Sequence, residues 1–502
     1  MQKRMTVIFL SFFLVSVLNA NAEVEGKLTP PKLTNNPSFD VIVTNARPLL
    51  SFFNSSGGEG ERFYTIQIDR LPTFDSENLI EYLNVPEALY GTLWKNDVTQ
   101  KMVEPADALG DETQYHWRVR ATDAAGEKSS WAKSRFYLDS QADDSFMNMV
   151  RIPVMRIKVS SGENPKNIVD YDDPGQVTFW QATPPGAERE WVKFDFSEIR
   201  KVSRIWMLSN PKNSDGWLKD FVWQISSDSE NWTDIEGTSI QNNNTFRNII
   251  NFDTIETRYL RLYINKWHGY AAQINVITFY SPGTPPPPAV PDGEYVLLVG
   301  NQMNGFTFSA LGDFVEGLDL GLSTLTVPHY EVSLDMLNSL RRKPVAIILS
   351  GNNADYPNLP MFEYNGEYEI IRGSDIPILG ICCGHQQLAM AYGYTYAGSM
   401  GWEDISSMEK TKNLSRIKKV KDDPIFNEMK DPFTAVEIHG WAVAFIPNDF
   451  ELIAESGYVQ AIRHNSRMIY GEQFHSEIKA SYNEGAPYLV NFLKMALERE
   501  RT

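Results

Sequence analysis

The sequence is short of several things, and each shortage excludes something. It has only two cysteines, Cys382 and Cys383, and they are adjacent. With no spaced cysteine pair, no ordinary structural disulfide can staple the fold, so stability must come from hydrophobic cores. It has no excess of positive charge: 46 Lys and Arg stand against 64 Asp and Glu, a formal net charge of −18. Long-range attraction to a nucleic-acid backbone or an anionic membrane is thereby disfavoured, and no nucleic-acid partner is expected. It has seven histidines, none set beside Cys, Asp or Glu at a spacing suited to metal ligation, so neither a metal nor another cofactor is expected. Beyond the first residues it has no apolar run of about 20, so no membrane span is expected in the mature protein.

What the N-terminus does have is a leader pattern. Lys3 and Arg4 open it, Val7 to Leu18 are apolar, and Ala20-Asn21-Ala22 is a small-x-small cleavage signal. Residues 1–22 are expected to be a signal peptide, which makes the protein secreted or periplasmic. No cysteine follows the apolar run, so no lipid anchor is expected there. Two lone thiols are a liability in an oxidising compartment, a hint that at least one is kept for reactivity. A disulfide between neighbours closes a strained ring, and the expectation for the resting fold is that the two sulfurs are held apart.

The chain has 502 residues, 42% of them hydrophobic and 22% charged, as in folded material of about three domains. Ser281-Pro-Gly-Thr284 and four prolines, Pro285 to Pro288, mark a stiff linker over 282–294. Before it, short alternating runs such as Phe63-Tyr-Thr-Ile-Gln-Ile-Asp69 and Trp191-Val-Lys-Phe-Asp-Phe196 read as all-β. After it, strands alternate with helix-period segments, the sign of an α/β sheet over 295–502.

The all-β part divides near Asp139–Asp144. Residues 28–138 contain Tyr115-His-Trp-Arg-Val-Arg-Ala-Thr-Asp-Ala-Ala-Gly126, with Leu109 six residues before Tyr115. This resembles a fibronectin type III sandwich, in which that Leu and Tyr would form a tyrosine corner. Residues 143–281 contain Asp172-Asp-Pro-Gly-Gln-Val-Thr-Phe-Trp180, Trp191 to Phe196, Ser227-Asp-Ser-Glu-Asn-Trp232 and Thr257-Arg-Tyr-Leu-Arg-Leu262. In that order they resemble a discoidin-like (coagulation-factor C-type) sandwich, a family that often binds glycans through loops at one end. The resemblance implies a polysaccharide or cell-surface glycan as a partner. Trp217, Trp267 and Tyr270 fall on expected loops, where an aromatic face can stack on a sugar; Trp180, Trp191 and Trp232 are expected to close the core.

The chemistry concentrates in the last third. Ile376-Pro-Ile-Leu-Gly-Ile381 suits a buried parallel strand, and His385-Gln-Gln-Leu-Ala-Met-Ala391 reads as a helix. Between them the chain must turn sharply, as at a nucleophile elbow. Residues two before and two after an elbow nucleophile must be small. Around Cys382 these are Gly380 and Gly384; around Cys383 they are Ile381 and His385. Cys382 is therefore the candidate nucleophile, with the helix N-terminus favouring its thiolate, and the amide of Cys383 is placed to stabilise an oxyanion. Downstream, Gly471-Glu-Gln-Phe-His-Ser-Glu477 follows an apolar run. In an extended segment His475 and Glu477 point to the same side, so Glu477 can orient the imidazole. His385 is expected to pack rather than react.

Pro377-Ile-Leu-Gly-Ile-Cys-Cys-Gly-His-Gln386 and Gly471 to Glu477 resemble the two defining segments of class I glutamine amidotransferases, most nearly the GMP synthase glutaminase domain. Tyr295-Val-Leu-Leu-Val-Gly300 resembles the family's first strand, and Val345-Ala-Ile-Ile-Leu-Ser-Gly351 the strand leading to its oxyanion loop. The resemblance implies a multidomain protein, two all-β sandwiches followed by an α/β flavodoxin-like class I amidotransferase domain. It also implies a Cys382–His475–Glu477 triad, an oxyanion hole from Cys383 and Gly351 or Asn352, and substrate contacts from Gln386, with His439 lining the pocket. The substrate would be glutamine or a γ-glutamyl-type small molecule, cleaved through a glutamyl thioester. Three departures stand out: Asn352 replaces a second glycine, Ser476 a proline, and Trp441 a polar residue two after His439. If position 352 needs an unusual backbone angle, Asn is the least costly replacement. The chain shows no P-loop or synthetase domain, so free hydrolysis is expected over coupled ammonia transfer. A binding protein with a relic amidase fold, or an amidotransferase served by a separate partner, are the rival expectations.

Overall fold

The computed structural model describes residues 6–7, 27–33, 41–43, 48–87, 98–104, 108–110, 113–138, 149–169, 179–183, 189–209, 215–243, 245–353, 359–392, 402–404, 413–443, 446–447 and 449–500. The leader's residues 8–22 and residues 172–178 of the discoidin-like pattern lie outside them.

The first part has a three-stranded sheet and a six-stranded one, whose sixth strand is Thr6–Val7 of the expected leader, paired in parallel with Ile80–Pro86. In the strand Thr113–Thr122, Tyr115, Trp117, Val119 and Ala121 are buried and the residues between them are not, as an alternating strand with one core face requires. Leu109 and Tyr115 are both buried, and the Tyr115 hydroxyl accepts from the Gly110 amide at 2.6 Å. On the other face Arg118 and Arg120 lie over Trp131, at 4.4 and 4.3 Å from its ring centre.

The second part is a seven-stranded sheet ordered Met149–Ile152, Val276–Pro282, Glu190–Leu208, Arg247–Trp267, Leu218–Ser226, Thr233–Asp234, with Arg156–Val159 paired to Glu190–Leu208. Breaks in register after Asp195 and Val202 let its two long strands bend and serve both halves of a sandwich. Trp180 is fully buried, as expected. Trp191 and Trp232 are not core residues: both are only partly buried. Strand parity explains Trp191, which shares a face with Lys193 while Val192, Phe194 and Phe196 point inward. Lys193 lies 4.8 Å from the Trp191 ring and Arg261 lies 4.4 Å from that of Trp232.

The third part is a nine-stranded sheet ordered Ser323–Pro328, Tyr295–Gly300, Ala346–Leu349, Ile378–Ile381, Ile469–Glu472, Val459–His464, Phe450–Glu455, Leu414–Lys419, Phe433–Val436. The first five pair in parallel. Four of these five, Tyr295–Gly300, Ala346–Leu349, Ile378–Ile381 and Ile469–Glu472, are buried at every position, as strands covered on both faces must be. Gly380 sits in register with Leu349 on one side and Gly471 on the other. The loops after these three strands therefore leave the sheet at one edge, where ligands of open α/β sheets bind.

The proline-rich segment is held down. Arg341 donates to the Val290 carbonyl at 2.6 Å, and Arg342 donates to that of Pro291. Among the described residues no helix is long and apolar enough to cross a membrane.

Candidate active site

The elbow is built by its own neighbours. Cys382 has φ 51° and ψ −102°, a positive φ that a non-glycine residue adopts only under constraint. The constraint is visible in the flanking glycines. A β-carbon on Gly380 would lie 2.5 Å from the Gly384 carbonyl, and one on Gly384 would lie 2.2 Å from the Leu349 carbonyl oxygen. The turn is pinned by three backbone bonds: Cys382 N to Glu472 O at 2.8 Å, Gly384 N to Ser350 O at 3.2 Å and Gln386 N to Cys382 O at 3.1 Å. The helix Cys383–Ala391 then carries the next turn into the core.

The two sulfurs part company, and neither cysteine is in a disulfide. Cys382 Sγ lies 3.9 Å from the Ile438 carbonyl oxygen. Cys383 Sγ accepts from Gln387 one turn along its own helix, at 3.7 Å.

His475 and Glu477 are brought together, but not by an extended segment. The strand ends at Glu472, and the pair lies in the turn beyond it. His475 Nδ1 donates to Glu477 Oε1 at 2.8 Å, with both residues buried. His475 is fixed further by its amide on Val436 O and by Asn483 Nδ2 on its carbonyl. Its Nε2 is buried without a hydrogen bond of normal geometry, which leaves that nitrogen for Cys382. Burial disfavours the charged imidazole, but the Glu477 carboxylate and the Cys382 sulfur outweigh it and hold His475 well above its usual range.

Two residues in this site give no local sign in the sequence. Ser309, at φ 61°, donates to Glu477 Oε1 at 3.1 Å. Phe308 lies beside His475, ring centres 5.0 Å apart. Ser476, where the family carries proline, donates to Glu472 Oε1 at 2.5 Å. Burial, helped by the Glu477 charge, pushes the Glu472 carboxyl well above its usual range, against the pull of that hydroxyl.

Gly351 closes the site from the neighbouring strand: a β-carbon there would meet His475 Cε1 and Phe308 at 3.3 Å. Asn352 does not have a left-handed backbone. Its side chain is what matters, because Nδ2 donates to Asn301 O at 2.6 Å and to the Tyr364 hydroxyl at 3.0 Å. Gln386 is 2% exposed, and its Nε2 donates to Trp441 O at 2.6 Å and Gln473 Oε1 at 2.9 Å. It therefore braces the segment carrying His439 and Trp441. His439 Nδ1 donates to Trp441 O at 2.8 Å, and its Nε2 lies 3.6 Å from Glu437 Oε1. His385 packs in the core, and burial, with the charge of His439, lowers its pKa to about 3. Among the described residues no group of His, Cys, Asp and Glu is gathered to hold a metal.

Comparisons with known proteins identify two of the domains. The family model "Glutamine amidotransferase class-I" matches residues 316–495, and "F5/8 type C domain" matches residues 156–277. Over 181 residues the chain is 32% identical to one subunit of the glutamine-hydrolyzing GMP synthase of Methanosarcina acetivorans, spanning 35% of this chain and 85% of that one. The corresponding GMP synthase chain of Methanobrevibacter smithii is 33% identical over 183 residues, 36% of this chain and 86% of that one. Among solved structures, the family 32 carbohydrate-binding module of Clostridium perfringens NanJ, in complex with galactose, aligns at 18% identity and a TM-score of 0.22, covering 26% of this chain and 99% of that one. Through its C-terminal domain, the chain belongs to the class I glutamine amidotransferase family.

Proposed function

We propose that this protein is an exported amidohydrolase that cleaves glutamine or a γ-glutamyl-type amide with Cys382 as nucleophile. The observation that carries the reading is a buried His475–Glu477 pair near enough to a cysteine, held at positive φ between two obligatory glycines, for the Cys382 sulfur to help raise the His475 pKa. In this scheme the Cys382 thiolate attacks the side-chain amide carbon. The carbonyl oxygen becomes an oxyanion facing the backbone of Cys383 and of Gly351–Asn352. His475 gives its proton to the leaving nitrogen, which departs as ammonia or amine and leaves a thioester. Neutral His475 then takes a proton from water, the hydroxide attacks the thioester, and glutamate leaves as the thiolate reforms. Glu477 keeps one imidazole orientation through both halves.

The sandwiches, fibronectin type III-like and discoidin-like, serve in this reading to hold the enzyme on a glycan. Tyr270 is 68% exposed. Its loop is stitched to the one carrying Trp217, through Gly216 N to His268 O at 2.6 Å and His268 N to Trp217 O at 2.8 Å. Trp217 itself leans on Phe246, ring centres 5.7 Å apart, which leaves Tyr270 as the stacking face.

The test is ammonia and amine release from a panel of glutamine and γ-glutamyl amides, comparing the mature protein with Cys382→Ala. Release by the first and not the second is expected. A labelled Cys382 thiol with no turnover of any amide would turn the reading into that of a binding protein. Turnover seen only with a co-purifying protein would make it a partner-dependent amidotransferase.

A further inference from the structure

The loop at Gly351–Asn352 is braced from outside its own domain. Arg151, on the sandwich strand Met149–Ile152, reaches into the amidase domain with all three guanidinium nitrogens. Nε donates to Glu363 Oε1 at 2.6 Å, Nη2 donates to Glu363 Oε2, and Nη1 donates to the Met303 carbonyl at 2.6 Å. Its plane lies 3.7 Å from the centre of the Tyr330 ring. The sandwich adds Tyr280, whose hydroxyl donates to Glu363 Oε1 at 2.7 Å and whose ring meets Phe362 edge-on.

Both ends of this clamp lead to the site. Glu363 is followed on the same short turn, Met361–Tyr364, by Tyr364. The Tyr364 ring stacks on His329 at 4.3 Å, and His329 Nε2 lies 3.4 Å from Glu363 Oε2. The Tyr364 hydroxyl then donates to Asn301 O at 3.0 Å and accepts from Asn352. Met303, the other end, opens the segment that delivers Phe308 to His475 and Ser309 to Glu477. Arg151 thus holds the backing of the Gly351–Asn352 loop through a chain of side chains, whereas at Met303 it meets only a backbone carbonyl, five residues before Phe308.

We propose that Arg151, a residue of the discoidin-like sandwich, is a positioning residue for the amidase site, so that the sandwich sets the rate of its neighbour as well as its location. This rests on assigning Gly351–Asn352 to the oxyanion hole. Arg151 touches no substrate; it acts through Glu363, Tyr364 and Asn352. A planar, bidentate guanidinium suits the task, since it fixes direction as well as distance.

The test uses the full mature chain as Arg151→Met, Arg151→Lys and the double variant R151M/E363Q. The double variant leaves no unpaired buried charge, so it separates positioning from misfolding. Backbone hydrogen exchange is followed over residues 346–353, with kcat, KM and the iodoacetamide alkylation rate of Cys382. In Arg151→Met and in the folded double variant, exchange over 346–353 is expected to rise about tenfold. The value of kcat should fall about 10- to 100-fold, below the full cost of losing an oxyanion donor. KM should stay within about threefold and the alkylation rate unchanged, with partial recovery in Arg151→Lys. A folded double variant with wild-type exchange over 346–353 overturns the proposal, as does unchanged kcat. Equal slowing of Cys382 alkylation also overturns it, because the whole site would then be disturbed. If the wild-type chain hydrolyses no amide, the functional reading falls, yet the exchange measurement still decides whether Arg151 orders the loop.

Discussion

The elbow at Cys382 and the loop at Gly351–Asn352, the nucleophile and oxyanion sides of the proposed site, follow neighbouring strands and are shaped in opposite ways. At the elbow the chain is shaped by backbone sterics: Gly380 and Gly384 leave room for each other, and the long-range contacts there, with Leu349, Ser350 and Glu472, are to backbone atoms. At the loop, Asn352 takes its hold from Asn301, 51 positions away, and its brace traces back to Arg151, 212 positions from Glu363. A site shaped by backbone sterics tolerates almost no change but asks little of distant side chains. A site shaped by long-range hydrogen bonds can be tuned, or spoiled, from another domain. The nucleophile's placement should thus be all-or-none, and the oxyanion side graded.

The largest effect expected is at the elbow. Cys382→Ala should lower kcat by about 10⁴-fold or more, while Cys383→Ser stays within about tenfold of wild type. Equal losses from both substitutions, measured by ammonia release, would mean the elbow has been assigned to the wrong thiol. Next comes Glu477→Gln, expected to cost about 10²- to 10⁴-fold in kcat. His475 has a raised folded pKa, so its protonated partnership with Glu477 and Cys382 persists as pH climbs and is lost only above that raised value. Without the carboxylate the alkaline limb of kcat/KM should move to lower pH; a limb that stays in place would remove Glu477 from the triad.

Gly380→Ala tests the local character of the elbow directly, since a β-carbon there would lie 2.5 Å from the Gly384 carbonyl. A methyl aimed at a backbone carbonyl cannot be relieved by a rotamer change, so a loss of about 1–3 kcal/mol in denaturant unfolding is expected. A smaller effect is expected of His385. Its folded pKa, about 3, lies below the unfolded value, so the unfolded chain binds the extra proton between those values. Stability should therefore fall on acidification through this window, by about 2 kcal/mol between pH 7 and 5. His385→Phe should flatten the slope, and an unchanged slope would show that other groups set it. Smallest for catalysis is Tyr270→Ala, which should leave kcat untouched while reducing retention on a glycan affinity column.

Which parts of this were legible in the sequence follows the same division. The choice of Cys382 over Cys383 could be made from glycine spacing because the physics at that turn is local. The pairing of His475 with Glu477 was readable from spacing, although a turn, not strand geometry, creates it. Ser309 was not readable, since only the fold carries it 168 positions to Glu477. For Asn352 attention went to the backbone, while its amide makes the contacts. Trp191 and Trp232 are expected in the core, whereas alternation with Lys193 already sets Trp191 on the outer face. Four of the five parallel strands are plain in the sequence because strands covered on both faces must be continuously apolar; Ser323–Pro328, at the sheet's edge, is only partly buried and gives no such run.

The fastening of the proline-rich segment bears on how portable the catalytic unit is. On paper, the four prolines invite a cut that would release a free-standing enzyme beginning near Tyr295. In the folded chain that stretch is laced to Arg341 and Arg342, so a protease should find it a poor substrate. A gene fragment that starts after it discards Arg151 and Tyr280, strips the cover from Phe362 and leaves Glu363 without its counter-charge. Anyone transplanting this enzyme onto a different carrier should move the sandwich with it, as one indivisible cassette.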